Sequence, residues 1–336
     1  MTQPERSRPK VTVGVPTYNR ANHLRRAIEM ILAQDLQDFE LLISDDASTD
    51  ATPDVVGRFR DSRVIYSRNS SNLKIPGNLN RILDQARGEY IVMLHDHDTF
   101  DRSLLSRMVR VLDSEPGVGL VFSAVAWTDH TGGGYRALVG ALPERMNGRD
   151  LVRTMLASPS FSCPVNACGM VRRSVYDAVG SYDPLFGFLS DVDMWFRVGL
   201  HTDVAHIREP LLVCTEREPG HEFGGLNWKV IRWSIDIQRT NLTRYCAHRP
   251  EEVDPLCAEL RKKTNALLVS GLLSAIGSGQ RDLWEEGMRH VREYGTGAIR
   301  VLEGLLGIVP ASGPLLAIGP LAKNLRRRWR AFARAS

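Results

Sequence analysis

The run His95-Asp-His-Asp98 sets two carboxylates and two imidazoles side by side, directly after the apolar stretch Tyr90-Ile-Val-Met-Leu94. Carboxylate oxygen suits a hard divalent cation, and imidazole tolerates manganese or a softer ion. The same residues equally suit a polar turn, with Asp98 or Thr99 capping a helix from Asp101 onward. Two further acidic groups stand in comparable places. Asp45-Asp46-Ala-Ser48-Thr-Asp50 follows the apolar residues 39–44, and Asp50 or Thr49 can cap the helix that follows. In Ser190-Asp191-Val-Asp193-Met-Trp195-Phe-Arg197, Asp191 can cap a helix whose Met194, Trp195 and Val198 face a core.

The elements that must carry these residues alternate. Residues 11–15 read as a strand, 20–32 as a helix with apolar positions at helical spacing, 39–44 as a second strand and 53–59 as a helix. Residues 64–66 form a third strand, and a polar loop over 70–80 leads into a helix ending at Gly88. The apolar stretch before His95 is a fourth strand, without the alternation of a half-exposed sheet, and 104–112 a helix. This alternation predicts right-handed βαβ units and a mostly parallel sheet flanked by helices. Acids after several independent strands mark a ligand crevice at the carboxyl edge of that sheet. No GxGxxG follows the first strand, which argues against a dinucleotide cofactor. Residues 118–127 read as another strand, 128–148 as a glycine-rich loop or hairpin, 168–172 as a strand, and 174–179 as a helix closed by Gly180. Strands over 204–207 and 210–214 follow, then a mainly helical region over 226–304.

The chain has 336 residues, 43% hydrophobic and 24% charged, a globular composition. Its net charge is +4, but residues 321–336 alone carry +6 and no acid, which leaves the body at −2. The body is therefore no nucleic-acid-binding surface. Five scattered cysteines without CxxC spacing read as reduced thiols of a cytoplasmic protein. Residues 1–10 form a flexible start without a signal-peptide h-region. Residues 305–322 are apolar but broken by Pro310, Pro314 and Pro320, and the basic 323–334 stretch follows. This end predicts either peripheral contact with the inner face of a membrane or a packed helix with a solvated basic tail.

Taken in order, Val15-Pro16-Thr-Tyr18-Asn-Arg20, Asp45-Asp46-Ala-Ser48-Thr-Asp50, Leu94-His-Asp96-His97-Asp98 and Ser190-Asp191-Val-Asp193-Met-Trp195 resemble the family 2 glycosyltransferases with the GT-A fold. The resemblance covers about residues 10–225. It implies a GT-A domain over 11–225, with a nucleotide-binding half at 11–127 and an acceptor-side half at 128–225. It further implies an inverting transferase that moves a sugar from a nucleoside-diphosphate sugar to an acceptor hydroxyl on a glycan, a lipid-linked glycan or a small molecule. Pro16 and Tyr18 would line the base pocket, with Arg20 near phosphate. Asp46 would accept a hydrogen bond from a pyrimidine imide, with Asp45 structural, and Asn72 and Lys74 would border the nucleotide or order their own loop. A divalent metal, Mn2+ or Mg2+, would sit at Asp96, His97 and Asp98. The family usually carries an aspartate where His97 stands. Either His97 is a ligand, or Asp96 and Asp98 hold the ion and His97 bonds a phosphate. Asp191 aligns with the catalytic base, supported by Asp193, Trp195 and Arg197, with Ser190 where the family often has Glu. His221 would close a loop over the diphosphate.

Two other readings compete. The altered acidic triplet fits a catalytically silent sugar-nucleotide-binding scaffold. A nucleotidyltransferase would need a glycine- and lysine-bearing phosphate loop, which does not follow Val15.

Overall fold

β-Branched and aliphatic side chains fill the short runs that become strands, because both faces of a parallel sheet are covered. The computed structural model describes residues 8–128, 136–138, 142–158, 163–165, 168–215, 227–278 and 280–297. The chain divides into two compact units, Met1–Val152 with Cys163–Arg217, and Arg153–Ser162 with Glu218–Ser336.

In the first unit, strand β1 (Val11–Thr17) pairs in parallel with β2 (Phe39–Asp45) on one side and β4 (Tyr90–Met93) on the other. β3 (Val64–Arg68) adds to β2, also in parallel. All of β2 is buried, and of β1 only Pro16 is partly exposed. Beyond β4 the sheet changes character. β9 (Gly169–Arg172) runs antiparallel between β4 and β6 (Val118–Thr128), and β10 (Asp203–Thr215) lies parallel to β6. β5 (Thr99–Phe100) and β8 (Arg145–Met146) flank β10, and β7 (Arg136–Leu138) returns on β6 as a hairpin, all three antiparallel. The path order β3-β2-β1-β4-β9-β6-β10-β5 belongs to a ten-stranded mixed sheet among the described residues.

Helices α1 (Ala21–Leu32), α2 (Thr52–Val56), α3 (Lys74–Gln85) and α4 (Leu104–Ser114) connect the strands. Leu24, Ile28 and Ile31 of α1 join Leu104, Leu105 and Met108 of α4 in the main core, against Val13, Ile43 and Val92. α3 packs so close to β1 that a Cβ at Gly14 would lie 2.5 Å from Ile82 Cγ2 and 2.7 Å from Met93 Sδ. Only a residue without a side chain permits that approach.

Along the sheet and its connections the structure departs from the sequence reading at several points. The polar loop ends at Leu73, and α3 begins at Lys74 because Asn72 Oδ1 accepts the Lys74 amide and Asp46 Oδ1 the Leu73 amide. The helix expected over 53–59 is the shorter α2, whose start is held by Asp50 Oδ1 at Thr52. Residues 204–207 and 210–214 are one strand, β10; its register against β6 shifts around Pro210, which a strand tolerates at an irregularity. Asp98 and Thr99 cap no helix. Thr99 belongs to β5, and Asp101 turns the chain into α4 by accepting the Ser103 amide.

α5 (Gly148–Ala157) and α6 (Arg173–Val179) precede a 3-10 turn, Pro184–Leu189, that runs into α7 (Ser190–His201). Gly180, at φ 82, closes α6 as expected of a helix-terminating glycine. The second unit is helical, with α8 (Trp228–Cys246), α9 (Val253–Ser278) and α10 (Arg281–Tyr294) enclosing Trp228, Ile235, Leu268, Leu272, Trp284 and Met288. Among the described residues, no helix is long and apolar enough to cross a membrane. The apolar and basic end at 305–336 lies outside the described residues, as does His221. All five cysteines are free thiols.

Candidate active site

Parallel register brings the carboxyl ends of β1, β2 and β4 to one edge: Thr17 lies opposite Asp45, and Gly14 opposite Met93. Thr17 joins the two acidic groups there. Its carbonyl accepts the Asp46 amide at 2.9 Å, and its hydroxyl donates to Asp96 Oδ2 at 3.0 Å. The turns beyond β1 and β2 are tied together as well. Ser48 Oγ accepts the Asn19 amide, and Asn19 Oδ1 accepts the Thr49 amide. Asn19 and Ala47 sit in left-handed backbone, at φ 52 and φ 64. For Ala47 that conformation costs about 1 kcal/mol, of the kind found where a fold holds a site in place.

The carboxylates of the second strand divide. Asp45, fully buried, accepts from the Ser48 amide and from the Tyr66 hydroxyl, so it braces the turn. Burial and that bond raise the Tyr66 phenol above its ordinary range. Asp46 Oδ1 accepts from Asn69 Nδ2 at 3.0 Å and the Leu73 amide at 2.7 Å. A carboxylate offers about four lone-pair sites, so capacity for a further donor is left. Tyr18, following Pro16 and Thr17, is 46% exposed, an aromatic face open for stacking. Arg20 Nη1 stands 3.7 Å from Asp96 Oδ1.

After β4 the chain makes a tight polar turn in which the Asp98 amide bonds back to the His95 carbonyl. Asp96 and Asp98 are buried, whereas the His95 and His97 side chains are partly exposed. The two imidazoles stack at 5.3 Å between centroids. Each His ring lies within 4 Å of an Asp98 oxygen, and His97 Nδ1 is 3.3 Å from Asp96 Oδ1. Asp98 Oδ1 is buried without a hydrogen-bond partner. His95, His97 and Asp98 offer ligand atoms within 4.8 Å of one another, so the donor set fits a divalent cation. Beneath it, burial with the Asp98 charge adding to it raises the thiols of Cys168 and Cys214 well above their usual range.

Asp191 comes from another element. It sits in the first turn of α7, half-buried, where its Oδ1 accepts the adjacent Val192 amide at 2.8 Å. It is not the N-cap, which is Leu189. Its position is set from two sides. Asn80 of α3 exchanges two hydrogen bonds with the Tyr182 backbone, ahead of the 3-10 turn. Trp195, buried, packs so tightly on β9 that a Cβ at Gly169 would meet its ring at 3.0 Å. Asp193 pairs with Arg197 Nε at 2.8 Å, and Arg197 also donates to the Val179 and Ser181 carbonyls. Ser190 is wholly buried with its hydroxyl unbonded, so it does not hold Asp191. The Asp191 charge adds to burial in raising the Cys163 thiol.

The structure thus gathers Arg20, Asp96, His97 and Asp98 into one cluster, with Asp46 joined to it through Thr17. Asn72 spends its side-chain oxygen on the Lys74 amide. Thr17 and Asn69 escaped the sequence reading, and His95, though in the run it singled out, was not among the residues it gave to the metal. His95 alone carried a signal, its place in the same short run.

A family model described as glycosyl transferase family 2 matches residues 12–180. A β-1,3-glucosyltransferase of Campylobacter jejuni, named for GalNAc(5)-diNAcBac-PP-undecaprenol, is 41% identical over 105 residues, 30% of this chain and 34% of its own length. WfaP of Escherichia coli, named a UDP-Glc:α-D-GlcNAc-diphosphoundecaprenol β-1,3-glucosyltransferase, is 30% identical over 105 residues, 31% of this chain and 42% of its own. The chain therefore spans less than half the length of either relative. In fold it is similar to residues 1–349 of S. aureus TarS, with a TM-score of 0.60 at 15% identity, over 97% of this chain and 92% of that one.

Proposed function

Because the chain belongs to the family 2 glycosyltransferases, with the GT-A fold, we propose that it transfers a sugar from a nucleoside-diphosphate sugar to an acceptor hydroxyl, with inversion. The observation that carries this reading is Thr17, which joins Asp46 at the end of β2 to Asp96 at the end of β4 and so supports a donor-binding role for the shared edge of three strands. Pro16 and Tyr18 line the base side, Tyr18 by stacking, while Asp46 accepts the imide hydrogen and Asn72 shapes the rim. Arg20 faces the diphosphate. A divalent cation held in the turn after β4 would neutralise the charge that grows on the departing nucleoside diphosphate. Asp191 takes the proton of the acceptor hydroxyl as that oxygen attacks the anomeric carbon from the face opposite the leaving group. One base and no enzymic nucleophile give a single displacement, hence inversion. The names of the two relatives favour an acceptor carried on a lipid diphosphate, with contact at a membrane surface.

A panel of nucleoside diphosphates and sugar nucleotides, followed by thermal shift with and without Mn2+ and then by donor hydrolysis, tests this. Stabilisation by nucleotide and metal together, with hydrolysis lost in Asp191→Asn, is expected. Tight nucleotide binding with no turnover of any donor would identify a silent sugar-nucleotide-binding protein instead.

A further inference from the structure

We propose that the cation at this edge is bound by His95, His97 and Asp98, that Asp96 positions His97 instead of binding the ion, and that the site selects borderline transition cations over Mg2+. The inference rests on the transferase reading for its purpose, but its geometry stands by itself.

Asp98 is 4% exposed and its Oδ1 has no hydrogen-bond partner. A buried carboxylate oxygen left this way is costly unless a cation meets it. His97 Nε2 lies 3.8 Å from that same Oδ1, and His95 Nδ1 lies 3.6 Å from Oδ2. Two ligand atoms on one tetrahedral ion, each about 2.1 Å from it, are roughly 3.4 Å apart, so small closing movements complete the site. The rings of His95 and His97 stack nearly parallel, 17° apart, with one nitrogen of each within 4 Å of an Asp98 oxygen.

Asp96 is differently placed. Its Oδ2 accepts from Thr17 at 3.0 Å, Arg20 stands 3.7 Å from Oδ1, and His97 Nδ1 is 3.3 Å from the same oxygen. A carboxylate that accepts the Nδ1 hydrogen fixes the tautomer of the ring and turns the Nε2 lone pair outward, the usual support of a metal-bound imidazole. The positive Arg20 beside Asp96 further disfavours a cation there. Two of the three ligands are then nitrogen. Mg2+ prefers six oxygens and keeps its waters, whereas affinity for imidazole rises from Mn2+ towards Co2+ and beyond.

The test is calorimetric titration of the full chain with Mg2+, Mn2+ and Co2+ alone, combined with the visible absorption of bound Co2+. One site is expected, with Co2+ tighter than Mg2+ by more than about tenfold, the order that nitrogen donors impose. His95→Gln should weaken Co2+ and shift its absorption band, whereas Asp96→Asn should weaken it by about 10- to 100-fold and leave the band in place. His248→Gln, on an exposed residue outside the site, serves as the control, and thermal unfolding verifies that each variant is folded. Equal affinities for Mg2+ and Co2+, or a folded His95→Gln with unchanged Co2+ affinity and band, would overturn the proposal. Binding of UDP and GDP without metal separates the two readings. Nucleotide binding without a His95-dependent cobalt site removes this proposal alone. A cobalt site in a chain that binds no nucleotide removes only the transferase reading.

Discussion

Where β1, β2 and β4 begin, the buried Glu40 is surrounded by donors: Thr12 Oγ1 and the Arg87 amide at 2.7 Å on Oε1, and Arg87 Nε and Nη2 at 2.9 and 2.6 Å on Oε2. Where the same strands finish, Asp98 has a buried oxygen with no hydrogen-bond partner, and two imidazoles lie beside it. Both edges bury a carboxylate in a similar apolar setting. The first is closed by the protein's own groups, so it stabilises. The second leaves one buried oxygen without a donor, which is the opening the proposed cation would fill. Exposed Tyr18 and the left-handed Ala47 lie at the open edge as well.

Substitutions at the two edges should therefore separate activity from stability. The largest effect falls on catalysis. Asp191→Asn should lower transfer by about 10²- to 10⁴-fold. The asparagine oxygen can still accept the Val192 amide, so the unfolding midpoint should hold. A folded variant that kept most of its rate would remove Asp191 as base.

At the closed edge, Arg87→Ala strips Glu40 of its ion pair. Urea unfolding should show a loss of about 2–3 kcal/mol, below the cost of a fully buried pair because Arg87 is partly exposed. Nucleoside-diphosphate affinity should not change. A fall in affinity at constant stability would break the contrast.

Asp98→Asn should do the reverse. It removes an uncompensated charge, so the metal-free protein should be as stable as before or about 1 kcal/mol more so, as is common where a site is kept at some cost in stability. Destabilisation of the metal-free protein by this change would mean that Asp98 is structural.

The smallest effect concerns His206, buried in β10 and stacked at 4.9 Å on Phe122. Burial lowers its pKa below the ordinary 6.5. The folded state thus binds fewer protons than the unfolded state beneath that value. The stability this neutral ring contributes is whole above pH 6.5 and is lost as pH falls through the lowered folded value. His206→Phe should flatten the decline of stability with acid in that window and leave transfer untouched. An unchanged pH profile would exclude His206 as its source.

Much of the candidate site is legible in the sequence. Acids at strand ends, the aromatic of Pro16-Thr-Tyr18 and the helix that carries Trp195 lie in runs whose apolar neighbours announce strands and helices. Three things could not be read. The antiparallel insertion of β9 between β4 and β6 depends on partners distant in sequence. The early start of α3 depends on the Asp46 carboxylate at the Leu73 amide. The merging of residues 204–207 and 210–214 into β10 depends on β6 alongside.

The sequence by itself determined the mostly parallel half of the sheet and the types of group at its edge, because burial pattern and residue chemistry are local properties. Only the tertiary structure decided how those groups divide their work. Asp45 became a brace once Tyr66 reached it from β3, and Asp96 became a partner of Thr17 and Arg20 once β1 lay beside β4. Asp98 kept one oxygen, Oδ1, without a hydrogen-bond partner. Such roles follow from which donors arrive from distant segments, and spacing along the chain does not encode that.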